Sequence, residues 1–275
     1  LREADDVPAG GVTTIGILGC GGRMGRMLLQ ELSGRASLAG GVDSPGSGWI
    51  GRDLGTLIGA EPCGLTVGED ADALFASADV VIDFTVANAV ARHAGLAVLH
   101  GTALVMGTTG LDTEAEAALH QAATKVPVVR AANMSIGVTL LTMLVEKLAL
   151  QLTPDRYDIE IVEMHHRHKR DAPSGTALAL AEAAARGRGV ALDQVQRRSR
   201  DGDTGPRPPG EIGIMSLRGG DVVGDHSVIF ASDGERFELS HKASSRQIFA
   251  QGAITAALWV ATRPPGLYSM ADVLK

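Results

Sequence analysis

An α/β chain in two parts is what this sequence predicts, and three observations predict it. Short apolar segments alternate with helix-patterned ones through the first half. A glycine-rich turn joins the first of those apolar segments to the first helix. Beyond Pro154 the pattern changes to longer segments of alternating polarity, separated by Gly/Asp turns. The first pattern predicts a parallel sheet with right-handed helical crossovers. The second predicts an α+β domain on a mostly antiparallel or mixed sheet.

At 275 residues the chain is long enough for two cores. Its composition, 45% apolar and 21% charged, is that of a globular protein, and the net charge of -7 speaks against wholesale nucleic-acid binding. Two cysteines, Cys20 and Cys63, make no framework and no metal spacing, so reduced thiols in a cytoplasmic protein are expected. Leu1 to Gly10 reads as a loose polar arm without the apolar core of a signal peptide. No apolar run is long enough for a membrane span.

Val12 to Leu18 reads as a strand, Gly19-Cys20-Gly21-Gly22-Arg23-Met24-Gly25 as the turn, and Arg26 to Leu32 as a helix. Leu38 to Val42 is the next strand and ends on Asp43. Strand, glycine turn, helix, strand and acidic residue make a Rossmann-like dinucleotide-binding unit. Gly19 allows the tight turn, Gly21 lets a pyrophosphate approach, and the helix start offers free N–H groups. The third glycine is displaced: the simple pattern places Met24 there, between Gly22 and Gly25. Asp43 would accept from a ribose diol and repel a 2'-phosphate, which favours NADH. Arg23 reaches from the turn toward the same region and opens dual use of NADH and NADPH.

Ser44 to Cys63 reads as a Gly-rich loop, and Glu69 to Ala76 as a short helix. Asp79 to Thr85 is a buried strand, Ala87 to Ala97 a helix, and Val98 to Met106 holds the next strand before Gly107-Thr108-Thr109-Gly110. Glu114 to Ala123 and Pro127 to Ala131 add a helix and a strand. Ligands bind at the carboxyl ends of such strands. A nicotinamide there would meet Phe84, Thr85, Gly107, Thr109 and Met134, with Thr108, Ala132 and Asn133 as further cofactor-binding candidates. The first domain is placed at 1–134, completed by 246–275, and the second at 135–245.

In the second part, Ser135 caps a helix from Val138 to Leu150. Tyr157 to Met164 sets Ile159 and Ile161 against Asp158, Glu160 and Glu163, as in a half-exposed strand. Thr176 to Ala185 is an Ala/Leu helix, and Arg197 to Gly210 a candidate mobile loop or subunit arm. Ile212 to Leu217, Val222 to Ala231 and Arg236 to Lys242 read as strands, with hairpin turns at Gly219-Gly220-Asp221 and Ser232-Asp233-Gly234-Glu235. A helix follows Arg246, the Pro264-Pro265-Gly266 turn stops it, and Leu267 to Leu274 is a short tail.

One stretch is chemically dense. Within Glu163-Met164-His165-His166-Arg167-His168-Lys169-Arg170-Asp171-Ala172-Pro173-Ser174-Gly175-Thr176 lie three of eight histidines and three further cations. Such a cluster repels itself unless an anion offsets it. Zinc is disfavoured, because Arg167, Lys169 and Arg170 would repel a metal and no cysteine or spaced carboxylate completes a ligand set. A histidine can give a proton near neutral pH, and Lys169 can neutralise a carboxylate or act as the acid itself. Ser174, Gly175 and Thr176 offer N–H groups and a hydroxyl at a helix start, a nest for a second carboxylate. The expected ligand is a small anionic dicarboxylate. A sequence of this kind also fits a non-catalytic nucleotide sensor, whereas a semialdehyde-type dehydrogenase would want a cysteine nucleophile in the second half.

The turn Gly19 to Arg26, the segment Gly107 to Gly110 and the stretch Glu163 to Thr176 together resemble the 4-hydroxy-tetrahydrodipicolinate reductase family, formerly dihydrodipicolinate reductase. Gly219-Gly220-Asp221-Val222-Val223-Gly224-Asp225-His226 and His241-Lys242-Ala243-Ser244-Ser245-Arg246 strengthen the resemblance, which covers Val12 to Lys275. It implies reduction of a cyclic imine dicarboxylate to tetrahydrodipicolinate by NADH or NADPH, on the diaminopimelate route to lysine. It also implies a proton donor at His165, a catalytic or carboxylate-binding cation at Lys169, and substrate contacts from His166, Gly175 and Thr176. A cytoplasmic homotetramer built through the second domain is the family's usual form. Ser44 stands where many relatives carry an arginine for the 2'-phosphate, and Met134 where an aromatic residue is often found.

Overall fold

The computed structural model describes residues 12–275; the arm expected at Leu1 to Gly10 lies outside them. In chain order the elements are β1 (Thr14–Leu18), α1 (Arg23–Leu32), β2 (Ser37–Val42), α2 (Leu54–Leu57), β3 (Val67–Gly68), α3 (Ala71–Ser77), β4 (Val80–Asp83), α4 (Val90–His100), β5 (Ala103–Met106), α5 (Thr113–Ala123) and β6 (Pro127–Arg130). Then come α6 (Ile136–Gln151), β7 (Asp158–His165), α7 (Gly175–Gly187), α8 (Leu192–Val195), β8 (Gln196–Arg197), β9 (Ile212–Arg218), β10 (Gly224–Ser232) and β11 (Glu235–Ala243). The chain closes with α9 (Gln247–Val260), β12 (Gly266–Tyr268) and α10 (Met270–Val273). Two compact units result, one of residues 12–132 with Ala250–Lys275, the other of Asn133–Phe249.

The first unit holds a 7-stranded sheet in the order β12-β6-β5-β4-β1-β2-β3. All its named pairings are parallel. Ile15, Ile17, Val80, Val81, Ile82, Leu104, Val105, Val128 and Val129 are fully buried. Strands covered by helices on both faces need apolar side chains on both, so their sequences run apolar without alternation. The order reverses between β1 and β4, and the carboxyl ends flanking that reversal are where ligands bind in such sheets.

The glycine turn shows which glycine replaces the displaced one. A Cβ on Gly25 would overlap the carbonyl oxygen of Gly19 and lie 2.5 Å from Cys20 Cα. Both obstacles are backbone and cannot rotate away, so Gly25 is the close helix–strand packing position. Gly25→Ala is expected to cost about 1–3 kcal/mol by overpacking. A lowered urea midpoint with unchanged m-value would be the signature.

Three expectations for this unit need correction. The loop Ser44 to Cys63 contains α2, because Asp53 accepts from the amides of Gly55 (2.8 Å), Thr56, Cys63 and Gly64, capping a helical turn and folding the loop back. Helix α4 runs on to His100, where Gly101 at φ 69° ends it, so Val98 to His100 are helical. The tail is no loose end: Gly266 to Tyr268 pair with Pro127 to Val129 as the sheet's edge strand.

The second unit holds a 5-stranded sheet in the order β11-β10-β7-β9-β8. β10 pairs antiparallel with β11 and β7, while β7–β9 and β8–β9 are parallel. Ile159, Ile161, Ile212, Ile214, Val228 and Phe230 form one core with Leu141 and Val145 of α6 and with Leu180, Ala181 and Ala184 of α7. The Asp233-Gly234 turn makes the expected hairpin, Ser232 facing Glu235. Gly219-Gly220-Asp221 does not, because β7 lies between β9 and β10. The parallel β7–β9 register places Arg218 opposite His165. Arg197 to Gly210 is largely loop, tied to β7 through Arg200 and Arg207: Arg200 meets Glu160 at 2.8 Å, and Arg207 meets Asp158 at 2.6 Å.

Candidate functional sites

In the first unit, the carboxyl ends of β1, β2 and β4 surround a hollow of about 470 Å³. Gly19, Gly21, Gly22, Asp43, Phe84 and Thr85 line it, with Trp49 and His93 among the other walls. Gly22 stands at the N-cap of α1 without a side-chain cap, so the first amides of a ten-residue helix keep their donors for a ligand. A Cβ on Gly21 would overlap the Trp49 indole and the Asp43 carboxylate. That cradle suits a pyrophosphate and a ribose, and a dinucleotide fits the residues present. Ser44 donates its amide to Asp43 Oδ1 at 2.7 Å, which aims the carboxylate. Cys20 is buried, and burial together with the Asp43 charge pushes its thiol up to about 12, which makes it inert.

Other cofactor candidates are placed differently. Arg23 is exposed on the first turn of α1 and Met24 is half-buried behind it. Thr108 is buried, and its hydroxyl donates to Asp83 Oδ1 at 3.1 Å, so it is occupied inside the protein. Gly107 lies against the Phe84 ring, 2.8 Å from Cε2 to a Cβ built there, while Thr109 is exposed. Ala132 is exposed at the end of the first unit. Asn133 and Met134 belong to the second unit, where Met134 is buried and Asn133 donates to Thr176 Oγ1 at 3.0 Å.

The second unit's site is organised by Glu163. It shares strand parity with Ile159 and Ile161, not with Asp158 and Glu160, and is 0% exposed. The half-exposed reading of the strand therefore fails at this residue. Its carboxylate accepts from His165 Nδ1 at 2.6 Å, from both terminal nitrogens of Arg218 at 2.9 Å, and from the Ser174 amide at 3.2 Å. Burial raises its carboxyl pKa, and the Arg218 and His165 bonds outweigh that, holding it below the ordinary range. Arg218 also donates to the Asp171 carbonyl at 2.7 Å, so the loop from His166 to Ser174 is drawn onto one buried carboxylate.

Around this hub stand the candidate catalytic groups. With Nδ1–H given to Glu163, His165 keeps Nε2 for proton exchange. The Lys169 ammonium is 2.9 Å from Asp171, whose side chain is largely exposed. Lys169 holds that carboxyl below its ordinary range. An exposed partner of this kind can be exchanged for a substrate carboxylate. His166 is half-buried beside His168, ring centroids 6.2 Å apart, and burial followed by the charge of Arg246 lowers its pKa.

Ser174 caps α7 by accepting from the Ala177 amide at 3.1 Å, and it meets His226 Nε2 at 3.1 Å. It is buried, so its hydroxyl serves the helix start; the amides of Gly175 and Thr176 ahead of it have no place in the helical ladder. His226 packs edge-on against His165, 5.1 Å between centroids. Burial, then the charge of His165, pushes its pKa from 6.5 to about 4. A histidine with a depressed pKa binds protons more readily when unfolded, so this group subtracts stability as pH falls from 6.5 toward 4.

Sequence reasoning missed Arg218, His226 and the centrality of Glu163. The parity of Glu163 with Ile159 and Ile161 was legible; the register that brings Arg218 to it was not. Among the described residues, no group of three or more His, Cys, Asp or Glu side chains is placed to hold a metal, and no helix is long and apolar enough to cross a membrane.

Comparison with known proteins covers both units. Residues 13–134 match the family model "Dihydrodipicolinate reductase, N-terminus", and residues 137–274 match "Dihydrodipicolinate reductase, C-terminus". The chain is 54% identical over 260 residues to a 4-hydroxy-tetrahydrodipicolinate reductase of Cereibacter sphaeroides, covering 94% of this chain and 96% of the relative. To the enzyme of the same name from Anaeromyxobacter dehalogenans it is 49% identical over 265 residues, 96% and 98% covered. The solved dipicolinate-bound dihydrodipicolinate reductase from Paenisporosarcina sp. TG-14 superposes with a TM-score of 0.73 at 25% identity, covering 94% of this chain and 98% of that one.

Proposed function

This chain belongs to the dihydrodipicolinate reductase family, and from that premise we propose which of its residues perform the reaction. It catalyses the NAD(P)H-dependent reduction of 4-hydroxy-tetrahydrodipicolinate, hydride transfer to a cyclic imine dicarboxylate giving tetrahydrodipicolinate with the 4-hydroxyl lost as water, in lysine synthesis through diaminopimelate. The nicotinamide cofactor supplies the hydride when bound. The protein's part is to bind, orient and protonate.

The single observation that carries the assignment of roles is the buried Glu163, which fixes His165, Arg218 and the start of α7 together. In this reading His165 and Lys169 are the catalytic pair. Glu163 holds the imidazole by Nδ1, while Arg218 balances the carboxylate. Lys169 exchanges Asp171 for one substrate carboxylate. The second carboxylate meets the amides of Gly175 and Thr176 at the positive end of α7, with Thr176 Oγ1 steadied by Asn133 and His166 alongside. The Ser174 hydroxyl acts by capping α7 and not by binding substrate itself. The balancing proton comes from His165 or Lys169, both within this cluster.

The first unit holds the dinucleotide. Gly19, Gly21, Gly22 and the start of α1 take the pyrophosphate, with Arg23 and Met24 on the same turn. Phe84, Thr85 and the Gly107-Thr108-Thr109 turn form the nicotinamide side. Ala132 follows β6 at the end of the same unit. In domain terms, 1–134 with 246–275 binds the dinucleotide, and 135–245 binds substrate and assembles the oligomer. Exposed Leu217 and Phe237 on the second unit's sheet support a homotetramer built there, and family membership supports a cytoplasmic setting.

We assign NADH preference or dual use to Asp43. Its aimed carboxylate lines the hollow, and Ser44 beside it brings no cation for a 2'-phosphate. Asp43→Ala should weaken NADH more than NADPH, by about tenfold in the ratio of kcat/KM, the worth of one charge-assisted bond. Steady-state reduction of freshly made 4-hydroxy-tetrahydrodipicolinate with each cofactor tests the whole reading. No turnover would overturn it, and an unchanged ratio in the variant would remove Asp43 from the ribose site.

A further inference from the structure

A second buried carboxylate has been given no role so far. Asp83 ends β4 and is 0% exposed. Its Oδ1 accepts from the Thr85 amide (2.9 Å), the Thr85 hydroxyl (2.6 Å) and the Thr108 hydroxyl (3.1 Å). Its Oδ2 meets His93 Nδ1 at 2.7 Å, and its backbone carbonyl accepts from the Gly107 amide at 2.9 Å. Burying a carboxylate among apolar strands is costly unless it is paired and fully bonded. Here the bonds converge on one residue from three separate segments: the turn after β4, helix α4 and the turn after β5.

The turn after β4 and helix α4 are walls of the dinucleotide hollow, and the turn after β5 stands behind them. Phe84, Thr85 and His93 line it directly. The Phe84 ring packs on Gly107, and the Thr85 methyl lies 3.2 Å from where a Cβ on Gly19 would stand. Gly19, at φ 70°, therefore sits on a surface whose height is set by Thr85. Thr85 in turn is held by Asp83 and by Thr108, whose Oγ1 accepts from the Thr85 amide at 2.9 Å. The carboxylate thus sets the spacing between the glycine turn, the Phe84-Thr85 turn and the Gly107-Thr108 turn. A hydrophobic residue at position 83 would fill the same space but would leave these turns without a common acceptor.

We propose that Asp83, hydrogen-bonded to His93, is a positioning residue for the cofactor: through the Thr85 and Thr108 hydroxyls it holds the turns that receive the nicotinamide half of NADH or NADPH. This rests on the assignment of the hollow to the dinucleotide. Hydride transfer is sensitive to the placement of the donor ring, so a small shift of these turns reaches the chemistry without any of the positioning groups touching substrate.

Paired threonine variants test it. Thr85→Val and Thr108→Val keep size and branching and remove the hydroxyl; Thr85→Ser and Thr108→Ser keep the hydroxyl and remove the methyl. The valine variants are expected to raise the NADH dissociation constant and the KM for NADH by about tenfold, with the KM for the imine substrate unchanged. The serine variants should stay within about threefold of the parent. Asp83→Asn should weaken NADH at least as much as either valine variant if it folds; if it does not, the threonine pairs decide. Valine variants that bind NADH like the parent, or serine variants that fall as far as valine, would overturn the proposal while leaving the hollow as the cofactor site. Absence of saturable NADH binding in the parent would overturn both.

Discussion

Lys169→Ala is expected to lower kcat by about two to three orders of magnitude while NADH binding is retained, the scale of losing a positioned acid or a charge aimed at the reacting group. The ammonium group sits in the second unit, on a loop clamped by Arg218 and Glu163, and it pairs with the exposed Asp171. Truncation therefore strands no buried charge and disturbs no core side chain. Stability should change by less than about 1 kcal/mol, because exposed ion pairs contribute little. Steady-state kinetics, an NADH titration and a denaturant melt on the same preparation separate the effects. Parent-like turnover would remove Lys169 from the catalytic pair, and an equal loss of NADH binding would show that the defect is not local.

Glu163→Gln should damage both activity and stability. The glutamine keeps the shape but loses the charge that balances Arg218 and His165, and its amide group turns a donor toward groups that are themselves donors. Breaking a buried pair in this way costs about 3 kcal/mol, the low end of the usual range because Arg218 retains some solvent contact. His165 loses the acceptor that fixes its Nδ1–H, and kcat should fall by about a hundredfold or more. The pH dependence gives a second signature. Glu163 has a carboxyl pKa held below 4.5, so its stabilising contribution is present above that value and is lost as pH falls through the depressed one. The parent should lose stability steeply in acid below pH 4.5, and Glu163→Gln should flatten that part of the curve. A variant with parent kinetics and a parent acid profile would show that Glu163 is not the hub.

Much of this was legible in residue order. The strand–turn–helix unit ending on Asp43 needs only local spacing; α1 and α7 are written in helical periodicity and composition, and α6 also in its Ser135 cap. Ser135 accepts from the amide three residues on, as residue type and position foretold, whereas Ser174, read as part of a carboxylate nest, spends its hydroxyl on the cap of α7. The cationic stretch from His165 to Arg170 marked a candidate anion site by density of charge alone. Short elements were poorly legible: α2 depends on one carboxylate reaching four amides, and β12 forms only because β6 offers an open edge. A strand as short as β12 carries too few side chains to display a period.

Local order determined which residue types stand near one another along the chain, and so the reaction class, the dinucleotide turn and the candidate acid pair. Tertiary structure decided which distant residues complete them. Arg218 reaches Glu163 because β9 pairs parallel with β7, against the hairpin that its flanking glycines suggested. Thr108 turns inward to Asp83 because β4 and β5 are neighbours in register. Strand pairing is a long-range choice made by the packing of whole faces, and the residues it brings together carry no mark of it in their own neighbourhood.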